Sequence, residues 1–159
     1  MTLAAVGVAR SHRPFPVHVI TVLLALLGVG AIFGGWGLAF GGLALPDDYL
    51  EMLPLVNSWV VPGLVLGIGF GLGSLFVLYG VVRRPRWRWL GFAERATGHH
   101  WSWIGVILLG LGHVVWIGIE LVSIPFSFLM PTFGMVGLAL ATLPLLPSVR
   151  HYLSAEVPA

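Results

Sequence analysis

A chain of 159 residues that is 58% hydrophobic and 9% charged, with a mean hydropathy of +0.98, carries too little charge for a water-soluble domain, where roughly a quarter of residues are charged. The same values exclude intrinsic disorder, which needs low hydrophobicity and high charge. With no cysteine, disulfides, thiolate metal sites and iron–sulfur clusters are excluded within the chain.

The expected fold is all-α: a polytopic four-transmembrane-helix bundle forming one transmembrane domain over residues 1–159. A spanning helix needs about 20 apolar residues, and four segments supply them: residues 17–40, 60–82, 101–123 and 126–146. The first has a basic start and an apolar run. That run is long for a signal peptide and no small-x-small cleavage site comes after it, so it reads as a retained span.

All eight basic residues are arginines, and the absence of lysine points to a GC-rich bacterial genome. Arg10 and Arg13 precede the first span, Arg83, Arg84, Arg86, Arg88 and Arg95 lie between the second and third, and Arg150 comes after the fourth. In a four-span chain all eight fall on one side, while Asp47, Asp48 and Glu51 fall on the other. The positive-inside rule therefore predicts both termini and the middle loop in the cytoplasm, the membrane being the bacterial plasma membrane.

Between the first two spans, Leu45-Pro46-Asp47-Asp48-Tyr49-Leu50-Glu51 predicts a short interfacial helix capped by Asp after the proline. Glycines spaced by four residues let spans approach backbone to backbone. Gly30 and Gly34 supply such a pair in the first span, and Gly63, Gly67 and Gly71 a series in the second. A second stripe there, Gly69 and Gly73, points to another side and leaves open whether packing is confined to one bundle or extends to a second chain.

The middle loop alternates cation and aromatic: Arg83, Arg84, Arg86, Trp87, Arg88 and Trp89. Basic residues interleaved with aromatics also occur in nucleic-acid grooves. Abutting two spans, however, they read as interfacial anchors to the lipid bilayer and its anionic headgroups, with no nucleic-acid partner. Ser58-Trp59-Val60-Val61-Pro62 and Ser127-Phe128-Leu129-Met130-Pro131 share a pattern of Ser, aromatic, two aliphatics and Pro. A repeat of two helical hairpins explains it, and so does a common need for proline in a first helical turn.

The third span carries the chemistry. At about 100° per residue, Ser102, Leu109, His113, Trp116, Glu120 and Ser123 fall on one face, and Ile107, Leu111, Val114, Val115, Gly118 and Val122 on the other. Ionisable groups inside a span are costly and count as candidate functional sites. His113, Trp116 and Glu120 thus form the candidate intramembrane polar site: a proton or cation site at Glu120 relayed by His113, or else two structural hydrogen-bonding groups. The remaining histidines, His12, His18, His99, His100 and His151, are expected near the arginine side as solvated interfacial residues. Bis-histidine haem ligation would need two of them, His18 with His99 or His100, on facing helices. No metal site is expected, because His99 and His100 are adjacent and lack the spacing that puts two ligands on one helix face. Motifs of soluble hydrolases and phosphate-binding loops are absent, and no catalytic residue is assigned.

A glycine-rich first span, Pro62-Gly63-Leu64 opening the second, an arginine-rich loop, Trp116-Ile117 with Glu120, and a Leu143-Pro144 ending together resemble uncharacterised four-span integral membrane proteins of high-GC Gram-positive (actinobacterial) bacteria. The resemblance covers about residues 17–150 and implies no activity to transfer. His113 and the His99-His100 pair lie outside its pattern. The expected function is a non-enzymatic accessory or assembly subunit, acting with a protein partner or as a homo-oligomer and needing no cofactor. The alternatives are a small-solute or proton-coupled carrier using Glu120 and His113, and a haem-binding membrane protein.

Overall fold

The computed structural model describes residues 13–43, 47–51, 57–123 and 125–155. Among these residues seven helices form, short 3₁₀ turns aside: α1 (Phe15–Ala39), α2 (Asp47–Glu51), α3 (Val60–Arg83), α4 (Gly91–Thr97), α5 (Trp101–Ser123), α6 (Leu129–Thr142) and α7 (Pro147–Tyr152). Helix α1 starts behind Pro14 with Pro16 in its first turn, where a missing N–H costs nothing. It ends where Gly41, at φ +75°, turns the chain and the Leu43 N–H reaches the Gly37 carbonyl at 3.0 Å. The short helix expected at Asp47 is present as α2.

Three helices, α1, α3 and α5, are long and apolar enough to cross a membrane by length and composition. The fourth expected segment is shorter. Its α-helix begins only at Leu129, because the chain turns in through Ser127, whose carbonyl accepts from the Met130 N–H at 3.1 Å. A single 3₁₀ turn at Leu143–Leu145, carrying Pro144, closes it. The apolar run Leu129–Leu145 is therefore at the lower limit of about 17 residues for a spanning helix.

Helix α3 is not uniform. Val60–Leu64 and Gly73–Arg83 are α-helical, but Val65–Leu72 is π-helical. The glycine stripe runs through it. Residues four apart overshoot an α-helical turn by about 40° and undershoot the wider i→i+5 turn. Gly63 precedes the π-helical stretch and Gly67 and Gly71 lie within it, and all three face α1. There a Cβ on Gly63 would sit 2.6 Å from the Gly35 carbonyl oxygen and the Ala39 nitrogen, and one on Gly71 would sit 2.6 Å from the Ile32 side chain.

The partner stripe on α1 differs from the expected one. Among the described residues Gly30 has nothing within 4 Å and Gly34 meets only the tip of Leu66, whereas Gly28 and Gly35 face α3. Helix α1 holds small residues at several spacings, and the surface of α3 selects which face is covered. A second backbone-to-backbone seam joins α5 to α6, where Gly110 abuts the Gly137 oxygen and the backbone of Leu140 and Ala141. Helices α3 and α5 run antiparallel: Gly80 lies against Trp101 and Ser102, Val77 against Gly105, Gly73 against Leu109, and Phe70 against Gly112.

The arginine-rich end is capped by the C-terminal segment, for which the sequence showed no element. Helix α7 and the residues after it fold back, burying Val149, Tyr152 and Leu153. The Leu153 carbonyl accepts from the His100 N–H at 2.7 Å and the Gly98 carbonyl from the Ala155 N–H at 3.2 Å, making a single antiparallel bridge at His99 and Ser154. Arg84 stops α3 at φ 48°, a left-handed conformation costly for a residue with a Cβ. Its guanidinium donates to the Tyr152 carbonyl at 3.1 Å and lies 4.6 Å from the centre of the Tyr152 ring.

Candidate functional site

On α5 the buried row is Trp101, Ser102, Val106, Gly110, His113 and Ile117. The polar face drawn from periodicity is thus rotated in the folded chain: Ser102 and His113 are buried, while Trp116, Glu120 and Ser123 are only partly covered. The face expected to be bare is covered in part, since α6 packs Gly137 against Val114. Leu111, Val115 and Val122 remain exposed.

His113 is 2% exposed. Its ring meets Phe70 edge-on at 5.2 Å and Phe133 at 6.1 Å between centroids. Among the described residues neither ring nitrogen has a hydrogen-bond partner. Trp116 reaches the opposite edge of this cluster, with its ring 6.1 Å from Phe70. Its indole N–H donates to Glu120 Oε1 at 2.7 Å, the i→i+4 geometry in which helical side chains meet. Phe70 therefore touches both His113 and Trp116, and the Trp116–Glu120 pair forms a unit near the end of α5 away from the arginines. No hydrogen bond links His113 to Glu120 among the described residues, as their seven-residue spacing predicts.

The loop residues separate into three roles. Trp87 is half-buried and stacks at 5.7 Å on Trp89, 5.5 Å on Trp101 and 5.4 Å on Phe76. Trp89 is 65% exposed, and Arg83, Arg86 and Arg88 are exposed beside it. Arg84 instead turns onto Tyr152 and serves the C-terminal cap.

His100, expected as a solvated interfacial residue, is buried, because the C-terminal segment folds over it through Leu153. Its Nδ1 accepts from the Ser102 N–H at 3.3 Å and pairs with the Ser102 hydroxyl at 2.8 Å, and its Nε2 donates to the Pro85 carbonyl at 3.1 Å. The Glu94 carboxylate stands 3.7 Å from Nε2. Desolvation lowers the imidazole's pKa below 6.5, opposed by the Pro85 hydrogen bond and Glu94. This network assigns the neutral ring with its proton on Nε2. His99 is held by the Thr97 carbonyl at 2.6 Å and stacks on Trp103 at 4.5 Å, and His18 lies 3.3 Å from the Pro14 carbonyl. Each of the three is engaged with its own neighbours, and among the described residues no three His, Cys, Asp or Glu side chains converge on a metal position.

At the opposite end, the α1–α3 seam opens into an apolar groove of about 170 Å³. Gly35, Gly63 and Gly67 form its floor, and Trp36, Phe40, Leu64, Ile68 and Leu72 its walls. Sequence reasoning found the floor on α3 but not the groove. The advance signal for it was the run of small residues on α1 leading to Trp36 and Phe40. No protein-family model matches the chain, and no curated protein or solved structure does.

Proposed function

We propose that the protein is a non-enzymatic integral membrane subunit. In this reading it is a four-helix bundle of the bacterial plasma membrane with both termini cytoplasmic, and it acts by packing against another membrane-embedded chain, a second copy or a different protein. One observation carries the association: the apolar groove between α1 and α3, whose walls include Trp36 at 67%, Phe40 at 66% and Ile68 at 57% exposure. Its floor is the glycine seam at which α1 and α3 already meet each other, so a partner would pack on the aromatic and aliphatic walls. Helices in a bilayer associate by close packing, and small residues that let backbones meet are what such interfaces use.

The arginine asymmetry supports the orientation. The run Leu129–Leu145 serves as the fourth crossing at the short end of the permitted length. Kinship with four-span actinobacterial membrane proteins belongs to the same proposal and rests on Pro62-Gly63-Leu64, Trp116-Ile117 with Glu120, and Leu143-Pro144.

Photo-crosslinking side chains at Trp36 and Ile68, compared with Leu111 and Val115, test the reading in native membranes. A discrete protein adduct from the groove positions alone is expected. Adducts to lipid alone, or equal protein adducts from both faces, would overturn it. The carrier alternative draws on the Trp116–Glu120 pair near one helix end together with the buried His113. It requires proton flux in proteoliposomes that Glu120→Gln and His113→Ala abolish.

A further inference from the structure

We infer that His113 and Ser74 form one internal hydration site at the centre of the bundle, holding at least one bound water between α3 and α5. The two side chains are 2% and 0% exposed, and among the described residues the Ser74 hydroxyl and both His113 ring nitrogens lack a partner. Buried polar atoms in native structures are nearly always satisfied, by protein or by ordered water.

The helix register brings them together. On α3, Gly73 and Val77, which face α5, flank Ser74 in sequence, and Gly71 beyond it faces α1. Ser74 thus lies between those two contacts and points to the bundle axis. On α5, Gly112 faces α3 and Gly110 faces α6, so His113 with its contacts to Phe70 and Phe133 points to the same axis. Side chains lean toward the N-terminus of their own helix. Because α3 and α5 are antiparallel, Ser74 leans toward the level of Phe70, where His113 stands. His113 leans toward the level of Gly73 and Leu109, next to Ser74. The two orphaned groups therefore converge from opposite directions.

Chemistry selects the ligand. A neutral imidazole offers one donor and one acceptor, and a hydroxyl offers one donor and two acceptor positions. The complement is a small neutral molecule that both donates and accepts, and water is the smallest. The rings packed on His113, Phe70 and Phe133, offer no competing polar group. Internal waters characteristically hold two to four hydrogen bonds to groups otherwise unsatisfied.

The test uses the full-length protein, labelled with ¹⁵N-histidine, in lipid nanodiscs; His113→Phe identifies the His113 signal. A cross-peak between the His113 ring N–H and water, lost in Ser74→Ala, is expected. Thermal midpoints of Ser74→Ala, His113→Phe and the double variant should be non-additive, with the double variant no less stable than the weaker single one. A His113 ring indifferent to Ser74→Ala overturns the site, as does a cross-peak to the Ser74 hydroxyl with none to water. Should His113→Phe fail to accumulate, the signal is assigned from the remaining five single-histidine variants and the Ser74→Ala comparison alone decides.

Discussion

The α1–α3 seam makes a quantitative demand on Gly35. A Cβ at that position would lie 2.6 Å from the Gly67 Cα and 2.5 Å from the Gly63 carbonyl oxygen, whereas 3.4 Å begins ordinary contact. The obstacle is backbone, so no side chain can swing aside. The helices must part by about 1 Å, and a gap of that size forfeits about half of the attraction of each atom pair along the seam. Overpacking of this kind costs about 1–3 kcal/mol, against which Ala returns about 1 kcal/mol of helix propensity over Gly. Gly30 on the same helix provides the control, since nothing stands within 4 Å of its added Cβ and only the propensity gain remains. Gly35→Ala is therefore expected to fall below Gly30→Ala by about 1–3 kcal/mol. Unfolding from mild detergent into SDS, monitored by tryptophan fluorescence, measures the difference. Equal stability of the two variants, or a more stable Gly35→Ala, would refute backbone contact as the basis of the seam.

The arginine-rich end supplies three further tests. Arg84→Ala keeps the left-handed strain and loses the bond to Tyr152, whereas Arg84→Gly loses the bond but relieves the strain; the glycine variant should be the more stable by about 1 kcal/mol in the same assay. Leu153, fully buried, should cost about 2–5 kcal/mol when cut to alanine, read as loss of amide-exchange protection at Ala155 and His100. His100 has a folded-state pKa below its unfolded value of 6.5, so the unfolded chain binds the extra proton first. Its contribution is complete above pH 6.5 and is lost as the pH falls through the folded value. Thermal midpoints should drop on acidification below pH 6.5, and His100→Gln should flatten that drop; an unchanged slope would sink the assignment.

The long helices were legible because hydropathy over about 20 residues depends on composition more than on partners. The stripe Gly63, Gly67 and Gly71 was legible for a similar reason: few other spacings compete on that helix. On α1, glycine or alanine at 25, 28, 30, 31, 34, 35, 37 and 39 offers several equivalent stripes, and only the opposing backbone chooses among them. The π-helical stretch leaves hydropathy unchanged and so left no trace. The fate of His100 depends on a distant segment folding back through Leu153, and no local pattern encodes that. Of the candidate site, the Trp116–Glu120 pair was implicit in its four-residue spacing. The burial of His113 away from Glu120 was set by how far α6 wraps around α5.

The π-helical stretch sets the phase between the two ends of α3. Its wide turns hold about one residue more than an α-helix would over the same rotation. Rewinding Val65–Leu72 as α-helix at unchanged length would therefore swing everything downstream by about 100° about the axis. Val77 and Gly80 would turn away from Gly105 and Trp101 while Gly63 still met Gly35. Removing one residue from the stretch instead lets the ladder relax to α pairing with both contacts kept, so natural variants of this chain should lose a residue here more readily than between Gly73 and Arg83, where no slack exists to take it up.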